Sequence, residues 1–206
     1  MEQMNAGIES RRQRELDVAR EVAHASLTAT SALEVYRLAL ARVTPLMRAG
    51  FSSVFERDPQ DAALLKLTCA HNWPQATARY LSEMRIRVGR GPTGRAVADA
   101  TPVEVDDVFA DDALRDWWDP AQELGFKSLI ALPLCVGDTV TGALTFYFTE
   151  PHELDEDERH LLMLIADQLA VSSARCSRSR ADSKPVSVLA ADATATSRSA
   201  CAWTAS

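Results

Sequence analysis

Gly89, Gly91 and Gly94 in the run G-R-G-P-T-G, the pair Trp117 and Trp118, and the hydroxyls of Thr93 and Ser128 are the groups in this 206-residue chain best suited by type and spacing to hold a small molecule. A glycine turn lets backbone amides come close to a bound group. The tryptophans lie in D-D-V-F-A-D-D-A-L-R-D-W-W-D-P-A-Q-E-L-G-F, a strongly acidic, loop-like stretch in which large flat rings read as a lid over an apolar surface. Phe109 and Phe126 belong to the same stretch and would close the walls. The expected ligand site is therefore Thr93, Phe109, Trp117, Trp118, Phe126 and Ser128, a mostly apolar pocket with a few polar anchors. The competing reading is that both tryptophans simply plug the sheet.

Other chemistries find less support. G-R-G-P-T-G formally matches a dinucleotide fingerprint, but Pro102 limits the helix that follows, which is too short for the crossover of a parallel βαβ unit. Asp106, Asp107, Asp111 and Asp112 offer carboxylates to a divalent cation, yet their spacing is not that of an EF-hand loop, and a solvated acidic surface explains them. His152, Glu153, Asp157 and His160 invite the same thought, but acids are favoured at a helix start without any metal. His71 stands alone at a strand end, which fits a structural histidine. No combination of acid, base and nucleophile emerges, G-x-S-x-G is absent, and Cys69, Cys135, Cys176 and Cys201 form no C-x-x-C pair. Neither an enzyme activity nor a cofactor, metal site or disulfide framework is expected.

Positioning these groups requires a scaffold of short strands. Met84, Ile86 and Val88 alternate with Arg85 and Arg87, predicting a half-buried strand that runs into the glycine turn. Upstream, G-F-S-S-V-F-E-R-D and L-L-K-L-T-C-A-H-N-W read as a hairpin whose turn holds Asp58 and Pro59. Downstream, Val140, Gly142, Leu144, Phe146 and Phe148 alternate with Thr141, Ala143, Thr145 and Tyr147, while the strand from Ser128 to Val136 is apolar on both faces and predicts a central position. Ser31 begins a helix with Glu34 as its reciprocal cap, and Asp155 caps a last helix of roughly 156–175. Segment 75–84 is ambiguous between loop and helix.

The order of these elements resembles the GAF family of small sensory domains. The resemblance rests on Gly89, Gly91 and Gly94, then Pro102, Val103, Val105, Asp107 and Val108, then Gly125, Ser128, Leu129, Pro133 and Leu134, and finally Gly142, Leu144 and Phe146. It implies an α+β, GAF/PAS-like fold: a mixed, mostly antiparallel sheet of five to six strands, with N- and C-terminal helices on one face and a lid over a pocket on the other. It also implies a sensory or regulatory module that binds a small molecule and passes the signal to a kinase, cyclase or transcriptional output partner, with a ligand-free dimerisation module as the alternative. Bilin attachment is disfavoured because Asp106 to Phe126 contains neither Cys nor His. Free methionine sulfoxide reductase activity is disfavoured because Thr93 stands where that branch has a Cys, and the lid has none. The N-K-x-x-F-x-x-x-D-E pattern of the cyclic-nucleotide branch is not found.

Three segments are expected: a helical extension over 1–30, the sensory domain over 31–176, and a disordered Ser/Ala/Thr-rich tail over 177–206. Leu33, Tyr36, Leu40 and Val43, with Leu162, Ile165 and Leu169, form stripes at coiled-coil spacing and predict a homodimer through the terminal helices. A net charge of −7 without a basic stripe argues against nucleic acid. No run approaches the ~20 apolar residues of a membrane span, and charges occupy the amino terminus where a secretion signal would be apolar, so a cytoplasmic location is expected. The output is expected on another domain or protein.

Overall fold

A computed structural model describes residues 2–74 and 84–182. Most of the ambiguous connection (75–83) and the tail beyond 182 lie outside the described residues.

Helix α1 (Glu2–Thr28) is followed at once by α2 (Ala32–Leu46), whose start is fixed by Ser31: its hydroxyl accepts from the Glu34 amide, while the Glu34 carboxylate reaches back to the Thr30 amide. Strands β1 (Phe51–Arg57) and β2 (Leu64–His71) form the first hairpin. Asp58 and Asp61 turn the chain between them by accepting the amides of Gln60 and Ala63, each at 2.9 Å. Then come β3 (Arg85–Arg87), α3 (Gly91–Asp99), β4 (Val103–Val105), a 3₁₀ segment (Asp112–Trp117) and the short α4 (Trp118–Leu124). Strands β5 (Ser128–Val136) and β6 (Thr139–Phe148) make the second hairpin, and α5 (Glu156–Asp182) ends the described fold.

The six strands form one sheet in the order β3-β2-β1-β6-β5-β4, and every neighbouring pair is antiparallel. The two longest strands, β5 and β6, sit inside the sheet and are covered on both faces, as the unbroken apolar run of β5 requires. On one face Leu144, Phe146, Ile130 and Leu132 pack against α1, α2 and α5. On the other, Tyr147, Leu129, Ala131 and Ala143 pack under α3, the 3₁₀ segment and α4.

Two bulges correct the simple alternation read from sequence. Leu134 pairs with Gly142 but Cys135 pairs with Val140, leaving Thr141 as an extra residue whose hydroxyl donates to the Leu134 carbonyl. Val140 therefore moves from the face of Leu144 to that of Ala143, because one inserted residue inverts a period of two. Thr68 does the same in β2, turning Cys69 toward the helices while Leu65 and Leu67 face the lid.

The helical stripes also turn out differently from the sequence expectation. Tyr36, Leu40, Val43, Leu162, Ile165 and Leu169 are each 0% exposed within a single chain. A six-stranded sheet is wide enough to bury both helices side by side, and α1 docks over them through Val22, so these stripes are unavailable to a second subunit. Helix α1 runs parallel to α5: Arg11 pairs with Asp155 and Glu158 at one end, and Arg175 donates to the carbonyls of Leu27 and Ala29 at the other. The last helix also passes residue 176 and, among the described residues, runs to Asp182.

Candidate functional site

Between the lid face of the sheet, α3 and α4 lies a cavity of about 190 Å³. Its walls are mainly aromatic and aliphatic: Trp73 at the end of β2, Tyr147 on β6, Phe126 and Leu129 at the entry of β5, Trp117 from the 3₁₀ segment, and Leu124 from α4. Phe51, next to Trp73 and paired with Tyr147 across the ladder, ties the floor together. Its ring stacks on Tyr147 at 4.5 Å and meets Trp73 and Phe126 edge-on at 5.1 and 6.0 Å. The Trp73 indole is fixed by donating to the Ser52 carbonyl at 3.0 Å.

The polar content is a cluster of buried hydroxyls. Thr93 and Tyr147 line the cavity, and Thr145 and Ser53 stand with them on the same side of the sheet. The Thr93 and Thr145 hydroxyls are 3.2 Å apart, and Ser53 donates to the Tyr147 oxygen at 3.5 Å. Burial pushes the Tyr147 phenol up from its ordinary value, so it remains a protonated donor near neutrality. Arg85 is the charged residue of the described wall. Its Nε donates to Asp58 at 2.7 Å and its Nη1 to the Met84 carbonyl at 3.0 Å. The Gln60 amide, then Arg85, hold the Asp58 carboxyl below its ordinary range.

The glycines serve close packing here. Gly91 opens α3 at φ +63°, and a Cβ on it would fall 2.2 Å from Cζ2 of Trp117, so the indole lies against bare backbone. A Cβ on Gly94 would fall 2.3 Å from the Arg87 carbonyl oxygen, and the Gly89 amide donates to the Gly94 carbonyl at 2.8 Å.

Of the six residues singled out from sequence, the structure brings Thr93, Trp117 and Phe126 together on the cavity wall. The other three lie elsewhere. Trp118 donates its indole N–H to the Val108 carbonyl at 2.8 Å, packs on Phe109, and carries the Arg115 guanidinium 5.2 Å above its ring. Ser128 is buried and donates to the Glu150 carbonyl at 2.7 Å, which fixes the end of the second hairpin. Sequence reasoning did not single out Trp73, Ile86, Leu129 or Tyr147. Tyr147 already stood on the correct face in the alternation of β6, but only the β1–β6 register shows that it meets Phe51 and Trp73.

The acidic lid is engaged with itself. Asp107 and Asp111 accept the amides of Phe109 and Ala113, and Asp112 and Asp116 pair with Arg115 and Arg90. Among the described residues no three of His, Cys, Asp and Glu gather as a metal site. Cys69 and Cys135 stand on strands outside the cavity, and burial raises both thiols.

A six-stranded antiparallel sheet with terminal helices on one face and a capped cavity on the other defines an α+β domain of the GAF/PAS-like type. The family model described as GAF domain matches residues 29–172, and the chain belongs to that family. The match begins just after α1. A comparison with curated protein sequences finds no match. Among solved structures, the chain is similar to the GAF domain of a phosphoenolpyruvate-protein phosphotransferase from Coxiella burnetii, at 18% identity and TM-score 0.70 over 82% of this chain and 98% of that one. It is also similar to free methionine-R-sulfoxide reductase from Neisseria meningitidis in complex with its substrate, at 20% identity and TM-score 0.66 over 81% and 91%. A third is the domain of a two-component sensor histidine kinase protein from Sinorhizobium meliloti, at 19% identity and TM-score 0.60 over 74% and 96%.

Proposed function

We propose that this GAF domain is a sensory or regulatory module in signal transduction: a small molecule held under Trp117 changes how the terminal helices engage an output domain or partner, whether kinase, cyclase or transcriptional. The observation that carries the reading is the aromatic-walled cavity with a buried hydroxyl cluster at its side, an arrangement that fits a binding site. A route from cavity to helices exists in β1. Ser53 faces the Tyr147 phenol, whereas Ser52 meets the Thr44 hydroxyl of α2 at 2.6 Å. On the same side the Glu56 carboxyl accepts from Tyr36 of α2, Ser173 of α5 and Thr68. Movement of β1 under an occupied cavity would reach both helices through these bonds.

The site is read as binding rather than catalytic. Among the described residues its polar groups are hydroxyls and the Arg85 guanidinium held by Asp58, and none of Cys69, Cys135 and Cys176 lines the cavity, so the thiol chemistry of a sulfoxide reductase has no attacking group among them. No helix among the described residues is long and apolar enough to cross a membrane, which supports placing the module in the cytoplasm.

A second reading, a ligand-free dimerisation module, draws on a different observation. Leu16 and Leu27 on α1 and Leu164 and Val171 on α5 are exposed, and Leu16 and Leu164 line one groove between the parallel helices. That outer surface suits a homodimer contact, with or without a ligand. Native mass spectrometry of freshly purified protein, followed by a thermal-shift metabolite screen, separates the two. The sensory reading expects a bound or stabilising small molecule whose affinity falls more than about tenfold, or 1.4 kcal/mol, in Trp117→Ala while the domain stays folded. If nothing binds and Trp117→Ala instead loses several kcal/mol of folding stability, the indole is core and the dimerisation reading replaces it.

A further inference from the structure

Resting on the reading of the cavity as a ligand site, we infer that its ligand is an uncharged molecule of about one aromatic ring carrying a single hydrogen-bonding substituent, seated between the Trp117 and Trp73 side and Phe126, with the substituent at Thr93 and Tyr147. Size comes first. Sites for drug-sized ligands run to about 300–1,000 Å³, whereas a cavity of about 150 Å³ already accepts benzene. At about 190 Å³, this one takes a ring with a small substituent. A tetrapyrrole or a nucleotide exceeds it.

Shape and charge narrow the class further. Flat walls at Trp73, Trp117, Phe126 and Tyr147 favour a flat guest, through offset and edge contacts that a puckered aliphatic ring makes less well. Among the described lining residues, a carboxylate or ammonium group would find no free counter-charge to offset its lost hydration. The Arg85 guanidinium is already held by Asp58 and the Met84 carbonyl, and an anionic ligand would have to compete with Asp58 for it.

The hydroxyl cluster supplies the single polar contact. On the helix face of the same sheet, Thr44 and Ser52 hold each other at 2.6 Å, a full-strength bond. On the cavity face, Thr93–Thr145 and Ser53–Tyr147 are stretched to 3.2 and 3.5 Å, longer than hydroxyl pairs prefer. Buried hydroxyls bonded this loosely can turn a donor or a lone pair toward a guest at little cost, so one phenol-like O–H or indole-like N–H is matched there.

The test uses the full chain and five probes, phenol, indole, toluene, benzoate and cyclic AMP, titrated by calorimetry and by intrinsic fluorescence. Phenol and indole should bind at least about tenfold more tightly than benzoate and cyclic AMP. Thr93→Val, checked for an unchanged melting temperature, should weaken phenol about tenfold and leave toluene unmoved, a difference that loss of packing alone would not produce. Benzoate binding as tightly as phenol, or Thr93→Val weakening phenol and toluene alike, overturns the inference. If cyclic AMP or another class of compound binds and phenol and indole do not, the inference falls while the sensory reading stands. If none of the five probes binds, the inference falls, and the sensory reading is then decided by the metabolite screen and Trp117→Ala. The ranking of probes on the unaltered protein needs no variant, so it decides the question even if Thr93→Val fails to fold.

Discussion

Gly142 and Gly137, five residues apart on the second hairpin, need to be glycine for different reasons. Gly137 turns the hairpin at φ +58° with nothing within 4 Å of a prospective Cβ, so alanine there meets only the left-handed backbone penalty of about 1–2 kcal/mol. Gly142 is not among the positive-φ glycines, yet a Cβ would lie 2.0 Å from the Phe55 carbonyl oxygen on the paired strand. Gly142→Ala must push β1 and β6 apart and should cost clearly more than Gly137→Ala, beyond about 2 kcal/mol by urea unfolding. Equal costs would mean that the strands yield freely. The two neighbouring tryptophans separate in the same way. Trp118→Phe keeps the ring against Phe109 but drops the N–H bond to Val108, so it should cost about 1 kcal/mol of stability and leave ligand affinity unchanged, in contrast to Trp117→Ala. From sequence the two indoles were equivalent members of one acidic lid. Only the 3₁₀ geometry, which points one at Gly91 and the other at Val108, tells them apart.

At the scale of elements, much was readable because local chemistry fixed it. The alternation of 84–88 and the apolar run of β5 lie within single segments, and the short helix before Pro102 and the caps at Ser31 and Asp155 each follow from a residue whose side chain or ring restricts its neighbours. Register was not readable. The bulges at Thr68 and Thr141 and the pairing of Phe51 with Tyr147 depend on which strands meet, so Val140 and Trp73 could not be assigned to their surroundings. Nor does a helical stripe say what it packs against. Tyr36 and Leu162 have the spacing of a subunit interface and are core. The cap of α5 permits a pH prediction. Asp155 accepts the Glu158 amide at 2.8 Å, and Glu158 accepts the Asp155 amide in return. Burial pulls the Asp155 carboxyl up, but the Glu158 amide and then the Arg11 guanidinium outweigh it and hold the group below its ordinary 3.8. A depressed carboxyl contributes stability above its unfolded pKa and loses it as pH falls through the folded one. Asp155→Ala should thus cost about 1 kcal/mol at pH 7, with the gap to the parent protein closing below about pH 4 in parallel urea titrations. A gap that does not narrow as pH falls below about 4 would assign the loss to something other than the cap's charge.

At the scale of the whole molecule, the sheet separates a cavity under the lid from a helical layer on the opposite side, and the hydroxyl and carboxyl bonds of β1 link the two. The exposed leucines of α1 and α5 should bring two copies together through the outer helical surface. Light scattering should therefore report a dimer in the micromolar range that Leu164→Glu converts to monomer, while Leu40→Glu unfolds the domain because Leu40 is 0% exposed. A parent protein that stays monomeric at high micromolar concentration contradicts that contact. The central claim is that the cavity behind Trp117 holds a small, uncharged aromatic ligand. It is tested most directly by following the indole N–H resonances in a ¹H–¹⁵N spectrum during titration with phenol. Trp117 and Trp73, which line the cavity, should shift together and saturate, while Trp118, bonded to Val108 outside it, should stay in place. Resonances of Trp117 and Trp73 that remain fixed while Trp118 moves, or that do not move at any phenol concentration, would contradict it.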